Sequence, residues 1–178
     1  MKTLEEQMSL YAAYHQDARN KATHFVGVPM IIASLFIPLA WVRFELAGFP
    51  LTGAMIFAAA VLLYYVFLDA PLAIATAIVT AVLLVAGAWL ASQGNVIGWI
   101  AFGALFVGGW ILQLLGHVFE GRKPALADNL FQIFIAPIFL CAELFFALGY
   151  KPKLRAAVQE RALKMRPQKA DRKLTAAG

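Results

Sequence analysis

Between Asp69 and Glu120 the chain carries no Asp, Glu, Lys or Arg, a run of 50 residues. A water-facing globular domain is about 25% charged, so a run of this length leaves a soluble fold no surface to present. At about 1.5 Å per helical residue it can pass twice through a hydrocarbon core about 30 Å thick. Ser92-Gln93-Gly94-Asn95 interrupts it near the middle with turn-forming residues. The remainder agrees, with 62% of the 178 residues hydrophobic and only 14% charged. A disordered tail, a coiled coil, a nucleic-acid module and a soluble enzyme are all poor descriptions of such a chain. The expected fold class is all-alpha, a polytopic helical membrane protein with four or five hydrophobic helices.

The apolar segments fall at about 25–42, 51–68, 72–91, 97–119 and 130–150. Ahead of them Leu4, Met8, Tyr11 and Tyr14/His15 recur at helical spacing in a polar stretch, which predicts a short interfacial helix. Met1–Ala22 has no apolar core of the signal-peptide kind. Asp69-Ala70-Pro71 reads as a turn with proline at the next helix start. Trp41, Trp89 and Trp99 stand near segment ends, as an aromatic belt requires, whereas Trp110 does not. The single cysteine, Cys141, excludes a disulfide framework. Residues 1–150 therefore read as one membrane domain, and 151–178 as a flexible basic tail.

That tail holds nine Lys/Arg against two acids, a net charge of +7, so everything before it sums to −2. Without aromatic residues it does not read as a nucleic-acid grip; anionic lipid headgroups are the simpler partner. The fifth segment, with Gln132, Pro137 and Glu143, either crosses or is re-entrant at the proline. If it turns back, 14 of the 15 Lys/Arg share one side and only Arg43 lies opposite. The positive-inside tendency favours this arrangement, with the shared side cytoplasmic in a bacterial-type inner membrane.

The three histidines of the chain, His15, His24 and His117, all fall at the same predicted boundary. One such histidine ordinarily serves as a hydrogen-bonded or interfacial residue. Three at one level with carboxylates nearby point to a metal centre. His117 and Glu120 are three apart and can face one cavity, with Gln113 a turn deeper; a polar helix end reaching the headgroups explains that pair as well. His15 and His24, nine apart, can serve one ion only if the chain bends between them, and Asp17-Ala18-Arg19-Asn20 supplies turn residues, with Asn20 or Thr23 as caps. Imidazole and carboxylate suit Fe(II) or Zn(II) alike. Tyr14 is either a donor to a bound oxygen species or an interfacial anchor. Arg122-Lys123 can attract a carboxylate or simply set topology, and Asp128-Asn129 can cap the fifth segment.

Tyr14-His15, Asn20, His24 and Pro29, followed by Gly116-His117-Val118-Phe119-Glu120-Gly121-Arg122-Lys123-Pro124-Ala125-Leu126 and Asp128-Asn129-Leu130, resemble the membrane-bound 2-hydroxy fatty acid dioxygenase family. The likeness continues through Ala136-Pro137 and Glu143 to Leu148-Gly149. Two departures stand out. His117 runs straight into Val118-Phe119-Glu120, where the family often has an intervening residue, and Gln16 stands where the yeast-like form has a further histidine. The resemblance implies an Fe(II)-dependent α-oxidation, in which a long-chain 2-hydroxy fatty acid and O2 give a fatty acid one carbon shorter. It also implies His15, His24 and His117 as iron ligands, with Glu120 a fourth candidate. Arg122 would bind the substrate carboxylate, and Tyr14 or Asn20 would hydrogen-bond oxygen species. A metal-dependent lipid hydrolase and a non-enzymatic lipid-binding membrane protein are the alternatives.

Overall fold

Thr3 starts the first helix, α1 (Leu4–Ala13), with a capping box: its hydroxyl accepts from the Glu6 N–H, and the Glu6 carboxylate accepts from the Thr3 N–H at 2.8 Å. The structure, a computed structural model, describes residues 2–124 and 130–165. The chain then turns, and Asp17 caps α2 (Ala18–Trp41) by accepting from the Arg19 N–H. Helix α2 forms the axis of the molecule, and α3 (Gly53–Leu68), α4 (Ala70–Ser92), α5 (Asn95–Glu120) and α6 (Ala136–Ala147) pack around it. A 3-10 turn (Leu130–Phe134) precedes α6, and α7 (Pro152–Lys164) ends the described chain.

Small residues set the α2–α5 contact. A methyl group at Gly27 would lie 2.9 Å from the Gly109 carbonyl oxygen, and one at Gly109 would lie 2.9 Å from that of Gly27. Backbones in lipid approach this closely only over small residues. Lower on the same seam, Gly116 lies against Asn20 and Thr23. These contacts fix the register that sets the last turn of α5 beside the first turns of α2.

Helices α2, α4 and α5 are each long and apolar enough to cross a membrane. Their outer faces carry large apolar side chains more than half exposed, among them Val82, Val85, Ile100, Val107 and Ile111. An unbroken apolar exterior of this kind requires lipid around it, and the chain is a polytopic helical membrane protein. Trp41, Trp89 and Trp99 lie at helix ends on the side away from the histidines.

Three details differ from expectation. The link after α2 is an antiparallel hairpin, β1 (Arg43–Leu46) with β2 (Phe49–Thr52), in register Arg43 with Thr52. Its two-residue turn uses positive φ at Ala47 and Gly48, 50° and 82°, which matches the strand twist. The first apolar segment extends back to Ala18, so His24 and both Pro29 and Pro38 lie inside a continuous helix capped by Asp17 rather than by Asn20 or Thr23. The fifth segment is broken at its proline, where the sequence allowed a re-entrant turn. Pro137 has no N–H to give and therefore starts a helix instead of continuing one; the resulting α6 has 12 residues, a rise of about 18 Å that falls short of a bilayer core. Helix α3, with 16 residues, rises about 24 Å.

The last difference is the tail, expected to be flexible from Lys151. Pro152–Lys164 is a helix that packs on α1 and buries Val158 and Ala162. Arg161 pairs with Glu5 at 3.1 Å, and Gln159 donates to the Gln16 side chain at 2.7 Å. Lys151 bridges to Asp69 at 2.7 Å, while Asp69 caps α4 through Leu72 N–H. The Asp128-Asn129 cap and the basic residues beyond Met165 lie outside the described residues.

The return of α7 to α1 puts the N-terminal arm and the start of the tail on one side. Cysteines introduced at Lys2 and Lys153 should react with an impermeant reagent from the same side of sealed vesicles, and one at Glu45 only from the other. Opposite labelling of Lys2 and Lys153 would reject this topology.

Candidate metal centre

The turn between α1 and α2 solves the spacing problem of the first two histidines. On one continuous helix, residues nine apart point to opposite faces. Here His15 leaves the end of α1, the chain reverses at Asp17, and His24 comes round on the second turn of α2 to meet it. His117, one turn from the end of α5, completes the group because Gly116 lets α5 close on Asn20. The three side chains are buried, with exposures of 1%, 3% and 6%.

The hydrogen bonds define the ring nitrogens. His15 Nδ1 lies 2.7 Å from the Tyr11 carbonyl and His24 Nδ1 lies 2.8 Å from that of Asn20. A carbonyl only accepts, so both Nδ1 atoms carry the proton and both Nε2 atoms present lone pairs. Those Nε2 atoms face each other at 3.0 Å. Two lone pairs at this separation repel, and a cation between them removes the repulsion. His117 Nδ1 is buried and has no partner among the described residues. One ligand atom from each ring lies within 4.8 Å of the others. Two nitrogens on one ion at bonds of about 2.0–2.1 Å stand at most about 4.2 Å apart, so a shift of under about 1 Å closes the group. Backbone carbonyls holding the distal ring nitrogens are the usual outer support of such ligands. Burial also holds the His15 pKa well below its usual value, with His24 adding to the effect, so the ring is neutral, the form in which an imidazole can hold a metal ion. The residues fit a metal ion.

Other expected site residues lie around the centre in different roles. Glu120 Oε2 accepts from the backbone N–H of Gln16 at 2.9 Å and of Asp17 at 2.7 Å, and from Asn20 Nδ2 at 3.3 Å. The ligand atoms brought together are those of the three histidines; the Glu120 carboxylate instead points at the positive N-terminal end of α2. Asn20, fully buried, also donates to the Tyr14 carbonyl at 3.1 Å. Arg122 donates to the Ala13 carbonyl at 2.8 Å and lies over the Tyr14 ring at 4.9 Å. Glu120, Asn20 and Arg122 thus fasten the turn that presents His15. Glu143, conspicuous within an apolar segment, pairs with Lys21 at 2.8 Å.

Tyr11, rather than Tyr14, stacks on the His15 ring, with centroids 4.0 Å apart and planes within 3°. The signal was present in the sequence: Tyr11 is four residues before His15, the spacing of helical neighbours.

From the histidines a cavity of about 220 Å³ extends along one face of α2, past Val28, Ile31, Ile32 and Leu35 to Phe36. From His24 to Phe36 is 12 residues, a rise of about 18 Å. Across from α2 stand Ala58, Val61 and Leu62 of α3 and Trp110 of α5. The walls are almost wholly apolar, with Gln113 and Gln132 the main exceptions.

A helical membrane protein with a buried three-histidine cluster at the head of an apolar cavity is a class in itself, and comparison with known proteins narrows it. The chain belongs to the Mpo1-like family, described as 2-hydroxy-palmitic acid dioxygenase Mpo1-like, whose profile matches residues 1–148. It is 31% identical over 174 residues to the 2-hydroxy-palmitic acid dioxygenase MPO1 of Saccharomyces cerevisiae, covering 93% of this chain and 96% of that protein. No solved structure matches the chain.

Proposed function

We propose that this protein is an Fe(II)-dependent dioxygenase that converts a long-chain 2-hydroxy fatty acid and O2 to a fatty acid one carbon shorter, with oxidative loss of the carboxyl carbon. The observation that carries this reading is the junction of three buried imidazoles with an apolar cavity about 18 Å long. That shape suits a molecule with one chelating end and one acyl chain. His15, His24 and His117 would hold the ion. Bound Fe(II) would supply the redox chemistry by which ground-state O2 reacts with a closed-shell acid.

The chain itself orients and encloses. The α2 face takes the acyl chain, and Tyr11 holds the His15 ring flat against it. Glu120, Asn20, Arg122 and the Tyr14 ring fix the turn that carries His15. The buried position keeps water from the reacting end. With Lys2, Arg19, Lys21 and the basic residues from Lys151 to Lys164 gathered on the histidine side, we assign that side to the cytoplasm.

The test is a matched pair of acids supplied to protein loaded anaerobically with Fe(II). On adding O2, 2-hydroxyhexadecanoate should yield the acid one carbon shorter with O2 uptake, hexadecanoate should not, and zinc-loaded protein should convert neither. Equal conversion of both acids, or product without O2 uptake, would overturn the proposal.

Cavity length should set the preferred chain. Phe36 and Ala58, 2% and 4% exposed, pack together at the end away from the histidines. Ala58→Phe should shift the best substrate toward shorter acids. Each excluded methylene forfeits about 0.8 kcal/mol of burial, about fourfold in affinity. A KM series over acids of increasing length measures the shift.

A further inference from the structure

Two side chains in the cavity wall are left with bonds unmade. Gln113 Nε2 and Gln132 Oε1 are buried polar atoms without a hydrogen-bond partner among the described residues. The residues are 7% and 2% exposed, and both line the cavity that holds the three histidines. An unmade bond at such a depth is expensive, and one at the wall of a ligand cavity points to a partner that arrives from outside. Gln113 is one helical turn deeper than His117 on the same face of α5. Its amide lies over Gly27, where a methyl group would come within 2.6 Å of Nε2, so α2 carries no side chain where the amide sits. Gln132 comes from the 3-10 turn before α6. The two therefore approach the cavity from separate elements.

The unmade bonds are of opposite kinds: Nε2 needs an acceptor and Oε1 needs a donor. An ionised fatty acid offers only acceptors, at its carboxylate. A 2-hydroxy acid adds one donor, the hydroxyl, on the carbon next to that carboxylate. We propose that Gln113 and Gln132 are positioning residues for the head of the substrate. Gln113 donates to a carboxylate oxygen, and Gln132 accepts from the 2-hydroxyl and so selects the hydroxylated acid. An acid without the hydroxyl leaves Gln132 Oε1 buried and unpaired, and a site built around a substrate hydroxyl rejects an analogue lacking it. This assignment rests on the substrate class proposed above and concerns binding, not the reaction.

The experiment is equilibrium competition against a fluorescent fatty acid, using the full chain loaded with Fe(II) and kept free of O2 so that nothing turns over. The competitors are 2-hydroxyhexadecanoate and hexadecanoate. Gln132→Met should lower the preference for the hydroxylated acid about tenfold and leave the affinity for hexadecanoate nearly unchanged. Gln113→Met should weaken both acids about tenfold with the preference kept. Gln132→Leu and Gln113→Leu serve where a Met variant fails to fold, and bound iron is measured in each. A Gln132 variant that keeps the wild-type preference, or that weakens both acids equally, overturns its role. A Gln113 variant that binds both acids like wild type overturns the other. If the wild type consumes no O2 while this binding pattern holds, the reaction is wrong and the positioning roles stand. If O2 is consumed and the Gln132 variants keep their preference, the reverse follows.

Discussion

Alanine in place of His15, His24 or His117 should remove most bound iron and lower turnover more than a hundredfold in each of the three variants. The expectation follows from the geometry: each ring supplies one of the three ligand atoms clustered among the described residues, and His15 and His24 are already held by backbone carbonyls with their lone pairs converging. Loss of an outer partner of a ligand alone costs about 10–100-fold, so loss of a ligand should exceed that. The proteins should remain folded in detergent, because each variant relieves a crowded cluster of buried polar rings. Metal analysis beside circular dichroism checks both halves. A variant that keeps full iron and full turnover shows that its histidine is structural.

Glu120→Ala should act on the same centre from a different direction. Its carboxylate accepts from two backbone N–H groups of the α1–α2 turn as well as from Asn20. Removing it leaves those donors without their partner, at about 1–3 kcal/mol each, or about 2–4 kcal/mol after partial rehydration of the turn. The variant should unfold earlier on heating and show faster hydrogen exchange at Gln16 and Asp17. It should also bind iron weakly, yet recover much of its occupancy in excess iron, since the ligands remain. The histidine variants should not recover. Iron loss that excess metal cannot reverse would make Glu120 a ligand after all.

The charge-free run made α4 and α5 legible to within about two residues, because hydropathy is the force that orders them and Ser92–Asn95 is an open turn signal. Helix α2 was misjudged at its start for the same reason: Arg19 and Lys21 are polar, yet the helix begins at Ala18 and carries them. Helix α7 was invisible as packed structure, since Val158 and Ala162 are too small an apolar stripe to separate from a solvated tail. At the site, the three histidines could be singled out by their common depth and by the family motif. The duties of Glu120 and Arg122 could not, because both answer backbone groups, which carry no side-chain signature. Tyr14 drew attention by standing beside His15 in the chain. In space that place belongs to Tyr11, one helical turn back, on which the ring rests.

The seat of α7 on α1 has a consequence for biogenesis. His117 leaves the ribosome 93 residues after His24, and α7, which clamps α1, follows later still. Until His117 emerges the chain can offer a passing ion two imidazoles at most, on an arm that α7 does not yet restrain. All three imidazoles are present once α5 is made, but the arm that carries His15 is clamped only after α7 has folded back. A chain truncated before Pro152 should insert its spans while losing the support that holds α1 in place.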